Sequence, residues 1–297
     1  IDSPGAAVSV SNVRNATVLK IETSWNTRGK RNNGEYGIAV LRSQNVLVET
    51  NTIKGARNSG IFVLDSENVV VRDNRLSGNV IGLQVASGRS IDVIGNNILE
   101  NSMGVLLVDL PGQAASPGAA TRLFRNEIMN NNKNNLSSST ELSHMVYTGV
   151  GTAILGADEV EIFDNTLARN DASNIIILGR DVTKFPQLGI FDPFPENINI
   201  HHNRMRDSGM APAELSEVKG ISLSLPYPDV LYDGAINPLK VTRGKPNANR
   251  RVCLRENSQL RVANLDISKA FGGLSRRIDT LTCELKSLPP VVLPLTM

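Results

Sequence analysis

The chain of 297 residues carries a formal net charge of +2, with 20% charged and 4% aromatic residues. Its charges are dispersed, which gives no support to nucleic acid or an anionic membrane surface as the main partner, and so few aromatic rings argue against base stacking and against rows of sugar-stacking platforms. No apolar run approaches the roughly 18 residues that a membrane-spanning helix needs.

Ile1 opens the chain with neither Met nor a signal peptide, as expected of a processed or trimmed chain whose first coils and cap lie upstream. Residues 5–36 read as a worn first copy of a repeat. Ala7-Val8-Ser9-Val10 and Thr17-Val18-Leu19 are its strands, Glu22 stands at the position Asn takes later, and an insert, TRGKRNNGEY, precedes Gly37. Trp25, the single Trp, lies beside that insert.

Residues 37–103 then give the repeat three times without a gap. Each copy opens with Gly, an aliphatic, any residue and an aliphatic, and continues with V/I-x-V, two residues, Asn, any residue and Ile or Leu. Gly37, Gly60, Gly82 and Gly104 set a period of 22–23 residues, the signature of stacked β-coils. In the middle copy the strand pieces are Ile61–Val63, Val69–Val71 and the pair Arg75-Leu76. Strand alternation turns Ile61, Val63, Val69 and Val71 inward, and Phe62 and Val70 outward. One coil cannot bury its aliphatic face, but the next coil about 4.8 Å above can, through parallel backbone hydrogen bonds. Asn51, Asn74 and Asn96 each follow their Gly by 14 residues, which predicts an amide ladder at one turn of every coil. Asn also tolerates the left-handed backbone such a turn requires.

Beyond Gly104 the repeat is interrupted. Asn126 comes 22 residues after Gly104 because of an insert at 109–120, and Gly151 comes after a polar insert at 130–148 that holds His144. Asn165 returns to the 14-residue spacing, and Asn174-Ile175-Ile176-Ile177 opens a coil with Asn in place of Gly. Asn203 arrives 29 residues later, after an insert at 179–196. Gly220-Ile221-Ser222-Leu223 reads as the last opening strand, 225–250 as a structured loop, and 250–267 as one more irregular coil with Asn257 near the ladder position. The expectation is an all-β, right-handed, single-stranded parallel β-helix over 1–267, with three short strands per coil, and a C-terminal tail or cap over 268–297, whose Pro-rich part 286–297 runs over the surface or covers the end, where open strand edges need cover. The ladder comprises Asn51, Asn74, Asn96, Asn126, Asn165 and Asn203.

The inserts at 109–120 and 179–196 fall between first and second strands, and those at 130–148 and 207–219 fall after the third. Coils stack in register, so inserts sharing a slot share a side, and that side is the expected working face. Lyases and epimerases of polyuronates need a base near C5 and a cation at the carboxylate, and glycosidases need two carboxylates. The residues offering such groups are Asp109, Arg180, Asp181, Lys184 and Asp192 from the inserts, His144, and Tyr227, Asp229, Tyr232 and Asp233 from the late loop. Asp109 and Asp192, each near a Pro, serve equally well as turn caps. The neighbours His201 and His202 would point to opposite faces of a strand and so could not share a metal. No HExxH, CxxC, CxxCH, P-loop or GxGxxG is present, so zinc, covalent haem and nucleotide have no support, and calcium in Asp-bearing turns is the one cofactor left open. Cys253 and Cys283 allow either a disulfide, which would fit an oxidising compartment, or two buried thiols.

The repeat resembles that of right-handed β-helix proteins, a group that includes NosD-like and carbohydrate-binding/sugar-hydrolase repeats, pectate and alginate lyases and mannuronan C5-epimerases. The segments VLLVDLPG (105–112), DEVEIFDNTLARN (158–170), FDPFP (191–195), INIHHN (198–203) and PDVLYDG (228–234) are similar to a bacterial family of parallel β-helix repeat-containing proteins. That resemblance implies a secretory or lipoprotein signal upstream, an extracytoplasmic location (periplasmic, lipoprotein-anchored or secreted) and a c-type cytochrome as a candidate partner. The epimerases carry an Asp-Pro-His-Asp motif, whereas Asp192-Pro193-Phe194-Pro195 lacks its His and second Asp, so their chemistry does not carry over by motif. The expected function is an extracytoplasmic β-helix that binds or processes an acidic polysaccharide, as a lyase, epimerase or glycosidase if it is an enzyme. The alternative is a non-catalytic scaffold docking a redox partner. Copper delivery of the NosD kind lacks the His, Met and Cys clusters that a soft metal prefers.

Overall fold

The computed structural model describes residues 5–25, 33–113, 118–135, 146–179, 192–212, 223–237, 240–242, 245–246, 251–258, 260–267 and 274–294. The inserts' His144, Arg180, Asp181 and Lys184 lie outside the described residues.

The short Val/Ile-rich pieces separated by Asn, Asp, Ser and Gly become strands that stack into three parallel sheets. The chain visits sheet A, then B, then C, and returns one coil higher, which makes a right-handed parallel β-helix. Among the described residues sheet A has nine strands, from Ala6–Ser11 to Val262–Asn264, sheet B eight, from Arg14–Leu19 to Val252–Arg255, and sheet C seven, from Glu22–Ser24 to Arg204–Arg206. Register is held through the interruptions: Ile38, Ile61, Leu83, Val105, Thr152, Ile175, Val230 and Val262 form one column of sheet A. A one-residue slip would turn every such side chain to the other face, so the aliphatic alternation fixes the pairing. The interior columns are fully buried from Val46 to Ile200, and each such side chain contributes about 1.5–3 kcal/mol by leaving water.

Phe62 and Val70 point outward as expected, and both outward faces are nevertheless covered. Phe62 does point away from the interior, but it is buried, as are Leu106, Ala153, Ile176 and Leu231 of its column. The outer face of sheet A therefore builds a second apolar cluster, in which Tyr147, Leu223 and Tyr227 from the connections join it. Val70 on sheet B is likewise buried.

The asparagines form the expected column. Each side-chain oxygen accepts the amide of the preceding asparagine, at 2.8 Å for Asn51 to Asn74, 2.9 Å for Asn74 to Asn96 and 3.0 Å for Asn96 to Asn126, and the ladder runs on through Asn165 and Asn203 to Asn257. In the first coil Ile21 occupies this slot, not Glu22, and donates its N–H to Asn51 at 2.8 Å. The left-handed conformation falls on the residue before the ladder position: Lys20, Thr50, Asp73, Arg125, Asp164, His202 and Glu256 have φ between 51° and 56°, and Gly95 has φ of 65°. The ladder asparagines are therefore selected for their amides, which satisfy turn N–H groups, and not for backbone tolerance.

A second ladder was not expected. Asn79, Asn101, Asn131 and Asn170 sit five residues after ladder members and link at 3.1, 3.0 and 3.3 Å. This column explains the glycines. A Cβ on Gly82 would lie 2.7 Å from the Gly104 oxygen and 2.9 Å from the Asn101 amide nitrogen, so the slot admits no side chain. Where Asn174 replaces Gly, its own side chain joins the ladder, accepting from Asn170 at 3.0 Å and donating to Asp229 at 3.1 Å.

The expected loop at 225–250 is divided: Val230–Tyr232 is a strand of sheet A, and the long connection starts after it. Cys253 and Cys283 are joined in a disulfide. It ties Val252–Arg255 of sheet B to the tail, which takes the first of its two expected courses and runs back over the outer surface of sheet B, where the Leu288 and Val291 N–H groups bond Glu161 and Asp92.

Candidate functional site

The corner between sheets A and B carries the long connections, 109–118, 179–197 and 233–251, while the coil between the first two turns there in only four residues, Gly156 to Glu159. A cleft of about 690 Å³ opens at this corner, lined by Asp158, Glu196, Lys240 and the tail segment from Leu285 to Pro289. Insertion at a constant slot has gathered side chains from distant parts of the chain into one place.

Asp158 sits half-buried in the short turn, and one carboxyl oxygen accepts the Glu196 N–H at 2.9 Å. Burial is the main influence on this group; with the nearby negative charges of Glu196 and Asp192 it outweighs the N–H bond and the Lys240 charge, and pushes the carboxyl up to about 8. It is thus a protonated acid at neutral pH. Lys240 bridges the other two carboxylates, donating to Glu196 at 3.0 Å and making a short contact with Asp192. Its partial burial opposes the charge, but those two hydrogen bonds raise its pKa overall. Asp192 further accepts from Asn237 at 3.0 Å and from the Phe194 N–H at 3.1 Å. The cleft therefore presents one proton donor beside a lysine held between two carboxylates, with the exposed Lys286 on its tail wall.

Behind the tail lies a row of outward-pointing but buried polar groups on sheet B. Register places Asp92, Arg122, Glu161, Asn199 and Cys253 in one column. Arg122 grips Asp92 with two bonds, at 2.8 and 2.6 Å, and lies 4.8 Å from the centre of the Phe124 ring. Phe124, Phe163 and His201 stack at 4.7 and 5.3 Å along the next column. His201 meets Glu161 through Nε2 at 3.1 Å and His202 through Nδ1 at 2.8 Å, and His202 meets Glu256 at 2.8 Å. The two imidazoles contact each other because His202 has left the strand with φ of 55°, contrary to the opposite-face expectation. Three contacts need three protons on two rings, so the chain from Glu161 to Glu256 is fully satisfied when the imidazole pair carries one positive charge. Burial alone would raise Glu161, but hydrogen bonds from His201, the Leu288 N–H and Ser287 hold it below the usual carboxylate range.

Of the residues singled out from sequence, Asp192 reaches the cleft wall cluster through Lys240. Asp109 is buried and accepts from the Ser87 hydroxyl at 2.7 Å and the Gly118 N–H at 3.1 Å, which makes it the clasp of its own connection. Asp229 is buried and held by Arg261 and Asn174, and Asp233 caps a turn through the Gly179 and Ala235 N–H groups. The hydroxyl of buried Tyr232 donates to the Ala235 carbonyl at 3.0 Å, with its pKa raised first by burial and then by the charge of Asp233. Tyr227 packs beside the second apolar cluster. These four late-loop residues therefore hold the last coils together. Asp158, Glu196 and Lys240 were not singled out; the recurrence of inserts at one corner was the signal that could have found them. Among the described residues no group of three or more His, Cys, Asp or Glu side chains is placed to hold a metal ion.

A family model, the right handed beta helix region, matches residues 1–116. Among solved structures the chain is similar to the A-module of the mannuronan C-5 epimerase AlgE4 of Azotobacter vinelandii, with a TM-score of 0.53 and 15% identity over 84% of this chain and 54% of that one. It is also similar to the periplasmic alginate epimerase AlgG, with a TM-score of 0.46 and 14% identity over 84% of this chain and 47% of that one. A Paenibacillus sp. alginate lyase gives a TM-score of 0.35 and 9% identity over 84% of this chain and 75% of that one. The chain spans about half the length of the two epimerase structures. A search of the curated proteins finds no match. The class is thus a right-handed parallel β-helix, and at this identity the likeness establishes the fold alone.

Proposed function

We propose that the protein binds or processes an acidic polysaccharide outside the cytoplasm, and that the cleft at the corner of sheets A and B is where it does so. The observation that carries this reading is a proton-donating Asp158 beside Lys240 in an open cleft. A uronate carboxylate is drawn to the ammonium group of the exposed Lys286, and a protonated carboxyl at Asp158 donates a hydrogen bond instead of repelling it. If the protein is an enzyme, Asp158 is the proton donor, Lys240 offsets the charge that develops when a base takes the C5 proton, and Glu196, held on the cleft wall by Lys240, serves as that base. The likeness to an enzyme that epimerises mannuronan agrees with this substrate class but lends only its fold. The disulfide Cys253–Cys283 supports an oxidising, extracytoplasmic compartment.

The test is calorimetric titration with polymannuronate, polygalacturonate and a neutral glucan, with ultraviolet detection of unsaturated uronate ends in parallel. Binding of a polyuronate that weakens with added salt and with Lys286→Ala is expected. Equal binding of the neutral glucan, or no binding of any of the three, would remove the reading.

A further inference from the structure

We propose that the polar face of sheet B beneath the C-terminal strap is a continuation of the same polysaccharide track, and that strap residues 285–291 occupy it as a displaceable cover. The inference rests on the proposed function of the cleft and extends it to a second stretch of floor.

Two carboxylates of this floor, Asp92 and Glu161, accept hydrogen bonds from the strap. Asp92 uses one face on Arg122 and takes the Val291 N–H at 3.2 Å; Glu161 uses one oxygen on His201 and takes the Leu288 N–H on the other at 3.0 Å. A carboxylate accepts, so whatever lies over these two groups must donate. The strap does so with two backbone N–H groups and the Ser287 side chain, and the hydroxyls of a sugar chain are donors of the same kind. The Phe124–Phe163–His201 stack runs alongside with its ring faces taken up by one another and by Arg122, so the contacts this row offers a sugar are polar. From Asp92 to His201 the row crosses three coil spacings, about 14 Å at the β-sheet repeat, which is room for an extended polymer.

The strap is held lightly. It forms no β-ladder with sheet B. Leu285, Leu288 and Val291 face the sheet at a three-residue period, the repeat of a polyproline-type chain, while Lys286, Pro289, Pro290 and Val292 are exposed and the Ser287 side chain bonds Glu161. Few hydrogen bonds and an exposed outer side place such a segment at the low end of local stability. The residues from Leu285 to Pro289 also form a wall of the cleft, so lifting them joins the cleft to the row. The disulfide at Cys283 anchors the start of the strap, and everything after it can swing away without leaving the protein.

Two variants lift the strap: a chain ending at Glu284, which keeps the disulfide, and the full-length Leu288→Glu/Val291→Glu, which sets new carboxylates against Glu161 and Asp92. Binding of short and long polyuronate oligomers is measured for each, with a synthetic peptide of residues 285–294 as competitor. Long oligomers should bind about tenfold tighter to both variants, short ones unchanged, and the peptide should reverse the gain. If the shortened chain does not fold, the double variant alone decides. Unchanged affinity for long oligomers, with short ones still bound in the cleft, overturns the track and leaves the cleft standing. Loss of all oligomer binding in the parent chain overturns the cleft and the track together.

Discussion

Replacing Asn74 by Ala tests whether the first ladder carries stability. In the folded protein the Asn74 side-chain oxygen accepts the Asn51 N–H at 2.9 Å and the Asn51 amide at 2.8 Å, and its own amide donates to Asn96 at 2.9 Å and to the Val48 carbonyl at 3.1 Å. The substitution strands the buried Asn51 N–H outright. The Asn51 amide loses one of two partners, since it still reaches the Val18 carbonyl at 3.2 Å, and Val48 loses a donor. One complete orphan costs about 1–3 kcal/mol and the partial losses add to it, for a total of about 3 kcal/mol. Asn96 suffers less, because the Asn74 backbone N–H still bonds it at 2.9 Å. Urea unfolding followed by circular dichroism would measure the change, with the exposed Asn134→Ala as a control. A ladder variant within about 0.5 kcal/mol of the parent, the scatter of ordinary surface substitutions, would refute the reasoning.

Thr50→Gly should stabilise by about 1 kcal/mol, since a β-branched residue at φ of 56° is strained; a lower unfolding midpoint would contradict this. Reducing the Cys253–Cys283 bond should cost roughly 3–4 kcal/mol on the loop-entropy estimate, and mass spectrometry without reductant should detect no alkylatable thiol. Asp158 binds its proton more tightly when folded, so the stability it contributes is complete below about pH 4 and is lost as pH rises to about 8; Asp158→Asn should flatten that stretch of the melting-temperature profile, and an unaltered profile would tell against a raised carboxyl.

What could be read from sequence was what repeats. The 14-residue offset gave the first ladder because only a stacked position keeps a constant distance from its glycine. The second ladder obeys an equally constant offset, five residues after the first, yet Asn79 and Asn101 lie outside the strand template, and their role shows only in the amides that fill the space over Gly60 and Gly82. The exchange of Ile21 for Glu22 has a similar origin: the worn first coil carries no Asn to set the count. The insert side was legible, since it follows from where residues are added within a coil. The cleft chemistry was not, because Lys240 meets Asp192 across 48 residues and joins two connections that share no template. Nothing in a local pattern announces such a pairing.

The three outer faces of the stack divide the possible working surfaces between them. Sheet A turns Phe62, Leu106 and Ile176 outward and covers them, so its outer face is spent on a second core. Sheet C turns out short polar strands such as Arg204–Arg206, whose outer arginines are exposed. Among the described residues sheet B turns a column of carboxylate and guanidinium outward, with the His201 imidazole in the neighbouring column, and covers it with a segment that meets it mainly through N–H donors. A column kept only for stability would be better served by aliphatic side chains of similar volume, as Leu47 and Val70 serve lower in the same column. Polar groups retained there at the expense of packing are what a binding floor requires. Because the strap over them is also a wall of the cleft, floor and cleft are one surface interrupted by a single removable segment.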